Sequence, residues 1–250
     1  MNRPAPRIGT AGWTIPRAVA EQFPAEGSGL QRYAAVFDAA EINTTFYRSH
    51  KPETYARWAA SVPDGFRFAV KAPRAITHER RLLDSDELMG AFLDEARALG
   101  DRLGPVLIQL PPTLKFDAEI AGRFFGGLRE RTDGPVALEP RHASWFEPEP
   151  EALLVEHHVA RVAADPAKVP AAAEPGGWPG LVYHRLHGSP RMYYSPYEDA
   201  ALDALAASLT SAAADAWCVF DNTASGAAAA DALRLTRRLD GAVARSGGRP

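Results

Sequence analysis

The chain has 250 residues, of which 46% are hydrophobic and 24% charged, with a formal net charge of −3 and a pI near 6.2. A chain of this length buries a substantial core, and its charge balance speaks against general attraction to nucleic acid or another polyanion. Its one cysteine, Cys218, excludes an intrachain disulfide framework and fits a reducing cytosol; no apolar run reaches membrane-spanning length, and the opening residues Met1 to Pro6 lack the apolar stretch of a signal peptide.

Hydrophobic periodicity resolves the chain into alternating strands and helices. Arg7 to Trp13 reads as a strand entering a turn in which Gly9, Ala11 and Gly12 leave room for close backbone approach. Ser28 to Phe37 has helical spacing, with Leu30, Tyr33, Ala34 and Phe37 on one face. Ala39 to Phe46 is a second strand, and its polar residues Glu41, Asn43 and Thr45 share one parity. Pro52 opens a helix at the position where its missing N–H costs nothing. Phe66 to Pro73 is a third strand carrying Lys71, followed by a loop with Thr77 and His78. Asp84-Ser85-Asp86-Glu87 has the pattern of a capping box, and Gly100 suits the stop of the helix it opens. Pro105 to Leu110 is an apolar fourth strand broken only by Gln109, and Asp117 caps a helix running to Leu128.

Val136 to His142 is the fifth strand, and Pro148 to His157 a short acidic helix with a solvated His157-His158 end. Ala160 to Asp165 is the sixth strand. The link from Pro166 to Gly180 is proline-rich and has no amphipathic pattern, so its helix is short or absent. Leu181 to His187 is the seventh strand. Ser195-Pro196-Tyr197-Glu198 reads as another capping box, Ala216 to Asn222 as the eighth strand, and Ala227 to Leu239 as an Ala-rich helix. Cys218, inside the eighth strand, reads as a small buried hydrophobe rather than a nucleophile.

Eight alternations of strand and helix in 250 residues predict an α/β fold, a TIM-like (β/α)8 barrel of parallel strands, with a short or missing helix between strands 6 and 7. A single domain over residues 7–241 is expected, with tails at 1–6 and 244–250. An open doubly wound sheet is the other candidate, but Gly9-Thr10-Ala11-Gly12 is not a Gly-x-Gly-x-x-Gly fingerprint and no Walker motif is present, so no redox cofactor is implied. The strands are apolar at their starts and polar at their ends: Asn43 and Thr45, Lys71, Gln109, Glu139 and Arg141, Asp165, Arg185 and His187, Asp221 and Asn222. Seven independent accidents would not share that polarity. A barrel brings those ends to one face, where active sites sit.

Several of these stretches together resemble one family. They are Gly9-Thr10-Ala11-Gly12-Trp13, Glu41-Ile42-Asn43-Thr44-Thr45-Phe46-Tyr47, Lys71-Ala72-Pro73 with Ile76-Thr77-His78, Gln109-Leu110-Pro111-Pro112, Glu139-Pro140-Arg141-His142-Ala143-Ser144-Trp145, and Arg185-Leu186-His187-Gly188. In this order they are similar to the YecE-like family, domain of unknown function 72. The resemblance implies a TIM-like barrel in a bacterial cytosolic protein; it implies no reaction. Ala11 stands where the family usually has Ser, so a hydroxyl there is not essential, and Pro140 replaces a usual aromatic, which bends that strand end.

The chemistry-bearing residues allow more than one reading. Glu139, His142, Lys71 and His187 are the candidates for proton transfer or nucleophilic work. Glu139 and Arg141 share parity, so an internal ion pair closing the mouth competes with a general base beside an anion holder. Lys71 reads as a Schiff-base amine of lowered pKa, an anion holder, or the partner of Glu41 or Glu139. Arg141, Arg185, Asn43, Tyr47, Gln109, Trp145, Asn222 and His78 are candidates for substrate contacts. The loops after strands 7 and 8, Gly188-Ser189-Pro190 and Asn222-Thr223-Ala224-Ser225-Gly226, suit a phosphate or carboxylate near Arg185 and Arg191, although an ordinary helix cap explains the second. Trp13, Phe46, Tyr47, Trp145, Tyr193 and Tyr194 either stack on a ligand or pack over the mouth. Glu41, Glu139, Asp165, His187 and Asp221 leave a divalent metal open as a minority reading, opposed by Lys71, Arg141 and Arg185 and by the lack of tight ligand spacing. The expectation is therefore an enzyme acting on a small anionic, possibly phosphorylated, substrate. A metal-dependent hydrolase or phosphodiesterase of the barrel-nuclease kind and a non-catalytic ligand-binding barrel are the alternatives. Neither general nucleic-acid binding nor membrane association is expected, and these motifs do not encode substrate identity, reaction direction or oligomeric state.

Overall fold

A computed structural model describes residues 5–246, with side chains through residue 241. Its strands are β1 (Arg7–Ala11), β2 (Ala39–Ile42), β3 (Arg67–Lys71), β4 (Leu103–Gln109), β5 (Val136–Glu139), β6 (Val159–Arg161), β7 (Ala163–Asp165), β8 (Gly176–Gly177), β9 (Leu181–Leu186) and β10 (Asp215–Phe220). Between them run α1 (Gly29–Ala34), α2 (Pro52–Ala60), α3 (Asp86–Ala96), α4 (Ala118–Arg129), α5 (Pro148–Glu156) and α6 (Asp199–Ser211), and α7 (Ala227–Ser246) follows β10.

The strands form one sheet in the order β7-β9-β10-β1-β2-β3-β4-β5-β6-β8, parallel apart from the β6–β8 pair. The predicted sixth strand is present as two pieces, β6 and β7, separated only by Val162. β6 bonds to β5 and β7 to β9, so the TIM-like ring is nearly closed across the break. The link after β7 holds a 3-10 turn, Pro170–Ala173, in place of a full helix. Arg161 ties it down, with Nη1 donating to the carbonyls of Ala171 and Glu174 while Nε pairs with Glu151 at 2.9 Å.

Strand parity divides the core in two. Ala40, Ile42, Phe68, Val70, Val106, Ile108, Val136, Leu138, Cys218 and Phe220 face outward into the layer under the helices. Ala39, Ala69, Leu107, Ala137, Ala160, Tyr183, Trp217 and Val219 fill the barrel interior. The inner alanines leave room for two large rings, Tyr183 and Trp217, which lie parallel with centroids 6.1 Å apart. Gly9 has the close approach its sequence implies, because a Cβ there would overlap the Ala39 carbonyl. Gly12 meets nothing within 4 Å, so its role is its positive φ of 76°.

Several local signals resolve differently from their sequence pattern. β2 ends at Ile42, and Asn43 takes helical φ/ψ at the head of a 3-10 turn, Thr44–Phe46, so Asn43 and Thr45 do not continue the parity of Glu41. Neither predicted capping box forms. Ser85 is the N-cap of α3 but makes no cap bond, its hydroxyl donating to the Leu82 carbonyl instead. Ser195 accepts from the Arg191 N–H, and α6 starts later, after Glu198. α7 runs through Ser246, into the expected tail; residues 1–4 and 247–250 lie outside the described residues. Cys218 is buried in the outer layer, where burial pushes its thiol pKa up. No helix among the described residues is long and apolar enough to cross a membrane.

Gly104 tests the filling of the barrel floor. A Cβ at this position would lie 2.7 Å from the Trp217 ring and 3.1 Å from the Phe68 carbonyl. Gly104→Ala is therefore expected to cost about 1–3 kcal/mol, opposite in sign to the usual entropic gain from replacing a glycine, read as a lower urea midpoint.

Candidate functional site

Above the Tyr183–Trp217 layer the inner parity turns polar, and Arg185 on β9 is at its centre with 0% exposure. Its guanidinium clasps Glu41 of β2, Nε donating to Oε2 at 3.0 Å and Nη2 to Oε1 at 2.7 Å. Nη1 donates to Glu139 Oε2 at 3.0 Å, and Nη2 also lies 3.1 Å from Asp221 Oδ2. Each carboxylate has further donors. Glu41 accepts from the Tyr183 hydroxyl at 3.1 Å. Glu139 accepts from Gln109 Nε2 at 2.9 and 3.0 Å and from Arg141 Nε at 3.1 Å. His187 bridges the remaining gap, Nε2 3.1 Å from Glu139 Oε1 and Nδ1 2.9 Å from Asp221 Oδ2.

Burial alone would neutralise these groups, but their mutual charges prevail. Burial raises the Glu139 carboxyl, and His187 and Arg185 outweigh it, holding Glu139 well below the carboxylate range. Asp221 is likewise lowered, chiefly by Arg185 working against burial. Burial lowers the imidazole of His187, yet Glu139 and the bond to Asp221 raise it on balance. With a carboxylate at each ring nitrogen, His187 is suited to be an imidazolium that donates twice. An ionised Glu139 with so many donors is poorly placed to accept a proton. Its geometry is that of the ion-pair partner, and Arg185 is likewise spent on carboxylates instead of being open to a ligand.

The rim differs. Lys71 ends β3 on the inner parity and is buried, but among the described residues it forms no ion pair; its Nζ lies 4.2 Å from the centre of the Phe46 ring. Burial lowers the Lys71 ammonium to about 8, the Arg185 charge acting the same way against Glu41, Glu139 and Asp221. Thr45 explains how the turn after β2 positions this lysine, since its hydroxyl reaches the carbonyls of Ile42 at 2.8 Å and Lys71 at 2.6 Å. Arg141 spends Nε on Glu139, while its Nη2 is buried with no partner, as is Asn43 Oδ1. His78 sits edge-on to Phe46 at 5.0 Å, and burial, then the charges of Lys71 and Arg141, lower its pKa. Tyr193 lies edge-on to His187 at 5.7 Å; its φ of +69° is a conformation that bulky residues rarely adopt.

Other expected residues serve different ends. Asn222 points outward, its Nδ2 donating to Ser195 O at 3.0 Å and Asp231 Oδ2 at 2.8 Å, so the proposed anion loop instead braces the segment before α6 and has a carboxylate beneath it. Asp165 also faces outward and accepts from the Tyr197 hydroxyl at 2.7 Å. His142 caps the turn Ala143–Phe146, its Nδ1 3.2 Å from Ser144 N, and has no hydrogen bond to Glu139 or Lys71. Trp145 is buried beneath that turn, donating to the Leu114 carbonyl at 3.0 Å, rather than exposed to a ligand. Tyr47 is 73% exposed and flanks Phe46. Gln109 orients Glu139. Arg191 stacks 4.1 Å over Tyr194, away from Arg185. Among the described residues no three His, Cys, Asp or Glu side chains converge to hold a metal; the pit carboxylates turn to Arg185 instead. Sequence parity could have joined Tyr183 to Arg185 and Glu41. Nothing local marked Tyr193 or Phe46 beyond their being aromatic near a strand end.

These features define a TIM-like barrel whose polar strand ends meet at one mouth, an ion-paired pit below a rim with unmet cations. Residues 7–249 match the family described as Protein of unknown function DUF72, and the chain belongs to that family. It is 37% identical to UPF0759 protein YecE of Escherichia coli K12 over 106 residues, 42% of this chain and 38% of YecE. It is 29% identical to UPF0759 protein YunF of Bacillus subtilis 168 over 147 residues, 56% of this chain and 52% of YunF. The matched stretches thus span about half or less of these relatives. A DUF72 family protein from Thermotoga maritima MSB8 is similar over 95% of this chain and 100% of that one, with TM-score 0.78 and 26% identity. A second, from Enterococcus faecalis V583, covers 94% and 95%, with TM-score 0.77 and 23% identity. A methyltransferase from Methanosarcina mazei, at TM-score 0.50 and 10% identity over 96% and 95% of the two chains, shares the fold alone.

Two outcomes test the pit. Arg185→Met strands three buried carboxylates and is expected to cost about 3–5 kcal/mol in denaturant unfolding. The pH response has two limbs. The Glu139 contribution is fully present above the ordinary carboxylate pKa of about 4 and is lost as pH falls toward its lowered folded value; that of His187 is present below about 6.5 and is lost as pH rises through its raised one. The stability gap between wild type and Glu139→Gln should therefore shrink on the acid side, and that for His187→Gln on the alkaline side.

Proposed function

We propose that the mouth of the barrel binds a small anionic molecule and acts on it by acid/base chemistry, with Lys71 and Arg141 as the groups that meet the anion. The observation that carries this reading is the split between pit and rim. Every pit carboxylate is engaged by Arg185, whereas Arg141 Nη2 is buried with no partner and the Lys71 amine with no counter-ion. Leaving charged donors unmet in a buried place is costly, and a ligand's carboxylate or phosphate satisfies both. Asn43 offers an unpaired acceptor for a ligand hydroxyl or amine, and Phe46, Tyr193 and His78 give the mouth aromatic walls. His78, held below the ordinary histidine range, is suited to carry a proton at neutral pH. Glu139 and His187 position Arg141 and Arg185 instead of exchanging protons themselves.

The test is calorimetric titration with inorganic phosphate and small carboxylates. Wild-type protein should bind at least one of them. Arg141→Met should weaken that binding by roughly 10- to 100-fold, the loss of one charge-assisted bond, and should also lower the unfolding midpoint because Glu139 loses its Nε partner, so binding is compared where both proteins are folded. Equal binding by wild type and by the Lys71→Met, Arg141→Met double variant would overturn the assignment.

A further inference from the structure

We infer that Lys71 is the nucleophile for an imine-forming reaction with a small carbonyl acid, a 2-oxo carboxylate being the simplest member of that class, whose carboxylate is held by Arg141. The inference rests on the anion-binding reading above and adds to it the covalent role of the amine.

Residue choice is the first support. The chain has four lysines, Lys51, Lys71, Lys115 and Lys168, among 28 basic residues, so the other 24 are arginines. Lys51, Lys115 and Lys168 are exposed, and Lys71 alone is buried. In a chain that otherwise meets most of its need for positive charge with arginine, one of the two rim cations is a lysine, the type that can lose its proton.

Placement is the second. A lysine present only to balance charge would lie within ion-pair reach of a carboxylate, and three carboxylates line the pit beneath it. All three turn instead to Arg185, leaving the Lys71 amine against the face of Phe46. Burial without a counter-ion favours the neutral, nucleophilic form, in keeping with the lowering of its ammonium to about 8, and outweighs the attraction of the Phe46 ring face for the cation. The Thr45 bond to the Lys71 carbonyl fixes the strand end from which the amine projects.

The chemistry balances without any further reactant. The neutral Nζ adds to the carbonyl carbon, forming the C–N bond while the carbonyl π pair becomes a hydroxyl after taking up a proton. That hydroxyl leaves as water with a second proton as the nitrogen pair closes the C=N bond, and the two protons taken up by the oxygen are matched by the two that Nζ releases, one at each stage. Amine and carbonyl give imine and one water. His78, edge-on to the Phe46 ring that the Lys71 amine overlies, is the side chain suited to carry the protons; Arg141 Nη2 is the donor left for the carboxylate.

Reductive trapping tests it. Wild-type protein is incubated with pyruvate or glyoxylate and cyanoborohydride, then analysed by intact mass and peptide mapping. The expected result is one adduct per chain, on Lys71, forming at least tenfold faster than on Lys51, Lys115 or Lys168. Acetone, which lacks the carboxylate, should lose that preference, and Arg141→Met should slow the Lys71 adduct about tenfold. Lys71→Arg keeps the charge, lacks the nucleophile and should give no fast adduct. Adducts confined to the exposed lysines of the folded wild-type protein would overturn the inference. If phosphate still binds and Arg141→Met still weakens it, anion binding stands and only the imine falls; if neither phosphate nor oxo acid binds, both fall.

Discussion

The structure depends on how one buried guanidinium is neutralised. Arg185 sits at the centre of the barrel, where an uncompensated charge would be prohibitive, and its planar donors reach Glu41, Glu139 and Asp221 on three other strands. Because these partners come from β2, the end of β5 and the residue just after β10, the ion cluster is also a register device. A slip of any of these strands by one residue would turn its carboxylate outward and leave Arg185 short of a partner. Tyr183, Gln109 and His187 complete the coordination of those carboxylates, which is why so many polar side chains can be buried together.

That same saturation separates the pit from the rim. The pit is closed chemistry: its three carboxylates are paired with Arg185, its histidine is held between two of them, and its arginine is fully occupied. The rim is open chemistry, with an amine lacking a counter-ion, a guanidinium nitrogen lacking an acceptor, and a carbonyl oxygen lacking a donor. Pit and rim meet at Arg141, which binds Glu139 through Nε and presents Nη2 above it. A ligand held there would be fixed relative to the whole barrel, since Glu139 is itself fixed from four directions.

Much of the fold could be read from the chain because the signals are local and repeated. Apolar runs with polar ends, alternating with helical stripes, recur from the second strand to the eighth, and the proline-rich stretch after the sixth strand has no stripe. The finer errors share one cause. Asn43 and Thr45 extend the alternation of β2 on paper, but the Thr45 hydroxyl turns the chain back onto the ends of β2 and β3. Ser195 matches a capping box, but its neighbourhood is claimed by Asn222 and Asp231 through longer-range bonds. Where a tertiary bond competes with a local motif, the pattern misleads.

The sequence by itself determined the class of fold, the face on which the polar residues gather and which residue types gather there, because strand parity and the apolar-to-polar gradient are properties of the chain alone. It left undecided whether Glu139 moves a proton or balances a charge, whether Arg185 or Arg141 meets an anion, and which aromatics wall the mouth. The tertiary structure decided only the pairings, Glu139 and Arg185 with one another and Arg141 Nη2 with no partner, because partners within about 3 Å come from strands as far apart in sequence as Glu41 and Arg185.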